Sequence, residues 1–135
     1  MTMPATMVEA AEALRAGRMS ATDLVDLSLK AIAIHDATTH AFIRVDEDAA
    51  RAAARTVDAE RAAGIDRGPL HGLPISLKDL IDVAGEPTTA ASKVFAGRVA
   101  DADAPITARL RGAGAVLIGK TNLHEFALGT TNDSV

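Results

Sequence analysis

An α/β architecture, with helices packed against a largely parallel sheet, is predicted by the order of patterns along the chain. From residue 46 onward, stretches of helical, extended, helical, extended and helical periodicity follow one another. Leu73, Ile75 and Leu77 alternate with Pro74, Ser76 and Lys78, the period of two that sends neighbouring side chains to opposite faces of a sheet. Residues 115–118 form an unbroken apolar run, which predicts a strand covered on both faces.

The chain of 135 residues, 48% of them hydrophobic, has the length and the apolar content of one ordinary domain. Cysteine is absent, so disulfides and thiolate metal sites are excluded and a reducing compartment is compatible. A formal net charge of −4, 2% aromatic content and the lack of Trp and Tyr argue against nucleic acid as a partner. Glu9 and Glu12 interrupt the apolar centre that a signal peptide needs, and no run reaches membrane-spanning length. The reading is a soluble, cytoplasmic chain with no membrane partner.

In chain order, residues 5–15 place Met7, Val8, Ala11 and Leu14 on one side of a short helix that Gly17 ends. Ser20 is a good N-cap for a second helix, Asp23 suits its first turn, and Leu24, Leu27, Ala31 and Ile34 form the expected buried stripe. Residues 41–45 read as a short strand flanking Arg44. Asp46 opens an alanine-rich helix through Ala63, with Glu47 and Asp48 at its positive end and Gly64 beyond it. Gly68, Pro69 and Gly72 mark a loop that leads into the alternating strand. Residues 88–92 are small and hydroxyl-bearing, as ordinary loops are and as places of close approach are. Asp103 reads as an N-cap with Pro105 in the first turn of a helix that buries Ile106 and Leu110 and ends at Gly112 and Gly114. Asn122 with Glu125 reads as a capping box for a last short helix through Leu128, and residues 129–135 read as an interrupted loop.

Lys78, at the end of the alternating strand, is the candidate for chemistry. Burying an amine favours its neutral form and turns a cation into a base. The plainer expectation is a strand-end lysine reaching into water. A competing motif runs from Gly114 to Thr121, which fits G-x-x-x-x-G-K-[ST] and raises the alternative of a P-loop nucleotide binder. In a true phosphate loop the strand precedes the first glycine, and the residues between the glycines turn back on themselves. Here those four residues are the strand itself, and at roughly 3.3 Å per residue they hold the glycines too far apart to close a cradle. No helical zinc pattern follows His124, and His35, His40 and His71 fall in separate elements, so neither a metal nor a cofactor is expected.

Four blocks taken together resemble the amidase signature family: residues 72–79 (GLPISLKD), 88–92 (TTAAS), 110–122 (LRGAGAVLIGKTN) and 125–129 (EFALG). The likeness runs from about Pro69 to Ser134, and the opening helices are also similar to that family's. It implies an α/β/α sandwich with a mixed, largely parallel sheet, and a Ser-cisSer-Lys triad in which Lys78 is the catalytic base. In that chemistry a neutral lysine draws a proton, through a bridging serine, from the serine that attacks the amide carbon.

Both serines of that triad are expected in glycine- and serine-rich loops beyond Val135. The chain is accordingly expected to be the amino-terminal portion of a single amidase domain, with a mainly helical lead-in over 1–64 and the lysine strand and following α/β units over 65–135. Alone it is expected to be inactive. The partner is a small-molecule amide, and uncovered strand edges leave homo-oligomerisation open. The alternatives are a naturally truncated, non-catalytic remnant or interaction module, and a transfer-RNA-dependent amidotransferase A-type subunit.

Overall fold

A computed structural model describes residues 2–129 of the chain. Helix α1 (Met7–Arg15) starts where the Thr6 hydroxyl accepts the Glu9 amide at 3.1 Å, satisfying one of the amides the first turn leaves free. It buries Ala10, Ala11, Ala13 and Leu14. Met7 and Val8, expected in that stripe, are exposed, because only the second half of α1 meets the core. Helix α2 (Ala21–Thr39) opens with a capping box: Ser20 Oγ accepts the Asp23 amide at 3.0 Å and Asp23 accepts the Ser20 amide at 2.9 Å. The Ser20 amide, and then its hydroxyl, hold the Asp23 carboxyl below its usual range. Ala21, Leu24, Val25 and Leu29 are buried, whereas Ala31 and Ile34 are exposed. The expected stripe thus holds for the amino-terminal half of α2, and the rest projects past the core.

His40 ends α2 in the left-handed region at φ +47°, and Asp36 accepts the amides of Ala41 and Phe42 at 2.7 and 3.1 Å, steering the chain into β1 (Phe42–Val45). Asp46 then caps α3 (Glu47–Ala62) through the Ala49 amide at 3.0 Å. Ala50 and Ala54 on its inner face are fully buried, so the helix lies close to its neighbours. One turn beyond Ala54 on α3, Asp58 accepts the Ala21 and Thr22 amides and the Thr22 hydroxyl at 2.7, 3.1 and 2.6 Å. A carboxylate on one helix thereby completes the amino-terminal end of another, where the helix dipole favours it.

The sheet has the order β1-β3-β2, with β3 (Val116–Thr121) between β2 (Pro74–Lys78) and β1. β2 runs parallel to β3 and β1 antiparallel, so the sheet is mixed. Helix α4 (Pro105–Gly112) returns the chain to the start of β3. Val116 and Ile118 join Leu14, Leu24, Val25, Leu29, Ala50, Ala54, Val57 and Leu73 in one apolar core. The expectation of a strand covered on both faces is not met: Leu117 is half-buried, lining an open cleft beside α3 with Ala53 and Val57. The strand is also longer than the apolar run, continuing through Gly119, Lys120 and Thr121.

Two expected caps form differently. Ala104, not Asp103, occupies the N-cap of α4 with Pro105 behind it, because the Asp103 carboxylate accepts the Ala84 amide at 2.7 Å across the preceding loop. Ile106 of this helix is exposed, and the buried side chain is Thr107, whose hydroxyl donates to the Asp82 carbonyl at 2.7 Å. Glu125 opens a single 3-10 turn (Glu125–Ala127) rather than closing a capping box with Asn122, since it is engaged by Ser92. The run 130–135, read as part of an interrupted loop, lies outside the described residues.

Gly114 is required where α4 hands over to β3. Its φ is +74°, and a Cβ there would lie 2.3 Å from Cδ2 of the buried His71. Gly114→Ala should therefore lower unfolding stability by about 3 kcal/mol in urea titration, combining a left-handed alanine with an overlap that a packed core cannot absorb. Gly112→Ala, with open space around it, should leave the midpoint unchanged or raise it.

Candidate active site at the carboxyl end of the parallel strands

β2 and β3 run in the same direction, and their last residues, Lys78 and Thr121, are register partners. Ligands of α/β sheets gather beyond such carboxyl ends. Lys78 is exposed there, which is the plainer of the two expectations. No element of the described residues shields it from water. The dry lysine is a different one: Lys120, 1% exposed, is the largest fully buried side chain.

Lys120 sits opposite Leu77 on β2, and its ammonium has an acceptor for each of its three hydrogens: Asp79 Oδ1 at 3.1 Å, the Pro87 carbonyl at 3.2 Å and Thr88 Oγ1 at 3.1 Å. Asp79 is 2% exposed, and its other oxygen accepts the amide and hydroxyl of Thr89 at 3.0 and 2.5 Å. The Asp79 main chain is also held, its amide donating to Thr121 at 3.0 Å and its carbonyl accepting from Ala90 at 2.8 Å. Losing one partner of such a buried pair costs about 3–5 kcal/mol, because the other charge is stranded.

This geometry agrees with the sequence argument against a phosphate loop at Gly114 to Thr121. The segment is an extended strand, and the lysine that would reach phosphate oxygens is sealed against Asp79. Gly119 serves packing: a Cβ there would lie 2.4 Å from the Arg44 carbonyl of β1.

The loop between β2 and α4 is pinned to this corner. Arg98 forms a bidentate bond to Asp82 at 2.7 and 2.9 Å and holds the Asp82 carboxyl below its usual range. Ser92 Oγ donates to Glu125 at 2.6 Å, the Phe126 amide donates to the Ala90 carbonyl at 2.9 Å, and the Phe95 and Phe126 rings meet edge to face at 5.6 Å. Ala90, Ala91, Phe126 and Ala127 all have positive φ, from +52° to +59°. Such strain persists only where surrounding bonds over-determine the backbone, and it gathers at functional sites. The hydroxyl-bearing run 88–92 is thus a bonded component of the corner. Its signal in the sequence was the pair of threonines, which read equally well as plain loop.

The remaining candidates lie elsewhere. His71 is buried; its Nε2 is 3.0 Å from Glu60, and its Nδ1 accepts the Arg67 amide at 3.2 Å, an arrangement suited to a neutral ring donating to Glu60. Glu60, bonded also by Arg67 and then by His71, has its carboxyl held below the usual range. His35, His40 and His124 do not join it. Among the described residues no three His, Asp or Glu converge so as to hold a metal ion. No described helix is long and apolar enough to cross a membrane.

A mixed α/β sheet with a lysine at the carboxyl end of its parallel pair, beside a strained hydroxyl-rich loop, defines a class of enzyme-like corner rather than a nucleotide fold. The Amidase family profile matches residues 23–135, and the chain belongs to that family. It is 43% identical over 129 residues to the A-type subunit of a glutamyl-tRNA(Gln) amidotransferase from Acidothermus cellulolyticus, covering 96% of this chain and 26% of the relative. The native peptide amidase of Stenotrophomonas maltophilia superposes with a TM-score of 0.86 at 40% identity, covering 97% of this chain and 27% of the amidase. A vestigial protein complex that reveals the origins of an s-triazine catabolic enzyme superposes at 0.90, also at 40% identity, over 96% of this chain and 28% of that one. The chain spans about a quarter of the length of the curated relatives it matches.

The Asp82–Arg98 bond gives a pH signature. Asp82 is held more acidic in the folded chain, so its contribution is present above the usual aspartate range and is lost as pH falls through the folded value. Arg98→Met should lower the melting temperature at neutral pH, and the gap to the unmodified protein should close in acid. A gap that stays constant with pH would mean that Arg98 contributes packing alone.

Proposed function

We propose that this chain supplies the general base, Lys78, of an enzyme that hydrolyses an amide C–N bond, with a nucleophilic serine and a bridging serine contributed by sequence after Val135. The observation that carries the reading is the position of Lys78. It is the lysine left open at the carboxyl end of the parallel strands, while Lys120 is locked away. Among the described serines, Ser92 donates to Glu125, Ser28 donates within its own helix and Ser20 caps α2, so none of these three stands free as the nucleophile, while Ser76 lies half-buried within β2.

In this chemistry the Lys78 amine, uncharged, draws a proton from the bridging serine as that serine takes one from the nucleophile. The nucleophile's oxygen bonds to the amide carbon, the C–N bond breaks as the amine leaves with a proton, and water hydrolyses the acyl-enzyme. Cover for the Lys78 amine comes from the later sequence, so the 135-residue chain is inactive by itself. The partner is a small-molecule amide, and the setting is cytoplasmic. Reading the coding sequence past codon 135 separates this from a non-catalytic remnant: a continuing frame with glycine- and serine-rich loops supports the enzyme, a native stop the remnant.

In the full-length enzyme, Lys78→Ala should reduce amide hydrolysis by about 10³-fold or more with the circular dichroism spectrum unchanged. Turnover that survives the substitution removes Lys78 as the base.

A second reading is favoured by the curated relatives, which are named as the A-type subunits of glutamyl-tRNA(Gln) amidotransferases at 40–45% identity. The same C–N cleavage would then act on glutamine, and its ammonia would pass to a misacylated transfer RNA within a larger assembly. Glutamine hydrolysis that rises at least tenfold when partner subunits and glutamyl-tRNA are added would select this reading. Hydrolysis of simple amides at full rate without them selects the free-standing amidase.

A further inference from the structure

We propose that Asp79 and Lys120 form a positioning pair for the Lys78 amine, set up by an irregularity in the β2–β3 ladder. Pro74 pairs with Val116 and Ile75 with Leu117, but Ser76 pairs with Gly119, leaving Ile118 out of the ladder. Continued without that shift, the register would set Lys78 opposite Lys120. Partners across a parallel pair project to the same face, so two ammonium groups would stand side by side. The shift sets Lys120 opposite Leu77 instead, on the face away from Lys78 and within reach of Asp79. Re-aiming a side chain is what a bulge beside a functional site does.

The network that results has direction. Lys120 holds Pro87 and Thr88, Asp79 holds Thr89 through its carboxylate and Ala90 through its main-chain carbonyl, and the two charged side chains meet beside the end of β2. Ala90 and Ala91, kept in the left-handed region, then pass the constraint to Glu125 and Phe126 through Ser92 and the Ala90 carbonyl. An apolar pair of the same volume would fill the space equally well, and buried ion pairs are often replaceable without loss of stability. It could not orient three successive loop residues. Every hydrogen of the Lys120 ammonium already has an acceptor, so this side chain has none left to give a substrate.

The inference rests on Lys78 being the base, and it is tested in the full-length enzyme with Asp79→Asn/Lys120→Met, which removes both charges together. Melting temperature, kcat and KM on propionamide, and hydrogen–deuterium exchange over 88–92 are read in parallel. The expected result is a melting temperature within a few degrees of the unmodified enzyme, kcat reduced about 10²-fold with KM within twofold, and faster exchange at 88–92. Unchanged kcat, or unchanged exchange, overturns the pair's positioning role. Should the double variant fail to fold, Thr89→Val, which keeps the side-chain shape and loses the hydroxyl bond to Asp79, takes its place with the same expected split. If the unmodified enzyme hydrolyses no amide, the proposed function fails, and the exchange measurement still decides whether this pair holds the loop.

Discussion

A buried ammonium must be answered by oxygen, and the corner of this fold is arranged around that requirement. Lys120 is dry, so an anion had to be placed within about 3 Å of it, and Asp79 is there at the turn out of β2. Asp79 in turn has more acceptor capacity than one ammonium uses, and the Thr89 amide and hydroxyl fill the remainder. The start of the loop between β2 and α4 is therefore held by the groups that satisfy one charge. The same pair ties the outer strand β2 to the central strand β3 by side chains as well as by the ladder.

The helical half of the molecule follows a similar rule at lower stakes. Backbone amides at helix starts are answered by Thr6, Ser20, Asp46 and, across the interface between α2 and α3, by Asp58. Each is a local solution except the last, which fixes how two helices meet. The small inner face of α3 makes that approach close enough for Asp58 to reach. The apolar core of alanines, valines and leucines then needs no aromatic side chain, in keeping with the composition.

Element order, the start of α2 at Ser20, the start of α3 at Asp46 and the strand ending at Lys78 were legible in the sequence, because caps and period-two alternation act within a few residues. The misread features all depend on partners distant in the chain. Asp103 and Glu125 look like caps by spacing, but each is claimed from another element, by Ala84 and by Ser92. Lys120 keeps the alternating phase of the buried Val116 and Ile118, so its burial lay in the pattern of β3; what the pattern did not hold was its acceptor, Asp79, which comes from the turn after β2. Gly119-Lys120-Thr121 shows the hazard most plainly. The letters that elsewhere cradle phosphate here make room for a carbonyl of β1 and pair with the carboxylate that follows β2. The resemblance built from four blocks was more specific than any single motif, because order and spacing over some 60 residues, about Pro69 to Ser134, carry information about the whole sheet.

Alanine at positions 90 and 91 adopts a conformation that glycine reaches freely, each at a strain of about 1 kcal/mol. A directed-evolution campaign that scored only heat resistance would find easy gains there, exchanging these methyl groups for hydrogens. The hardened protein would carry a slacker hinge beside its amine, since glycine relaxes in many other conformations too. Thermal robustness and loop rigidity are thus set against each other at two adjacent residues, and improving one without monitoring the other would loosen the corner beside Lys78.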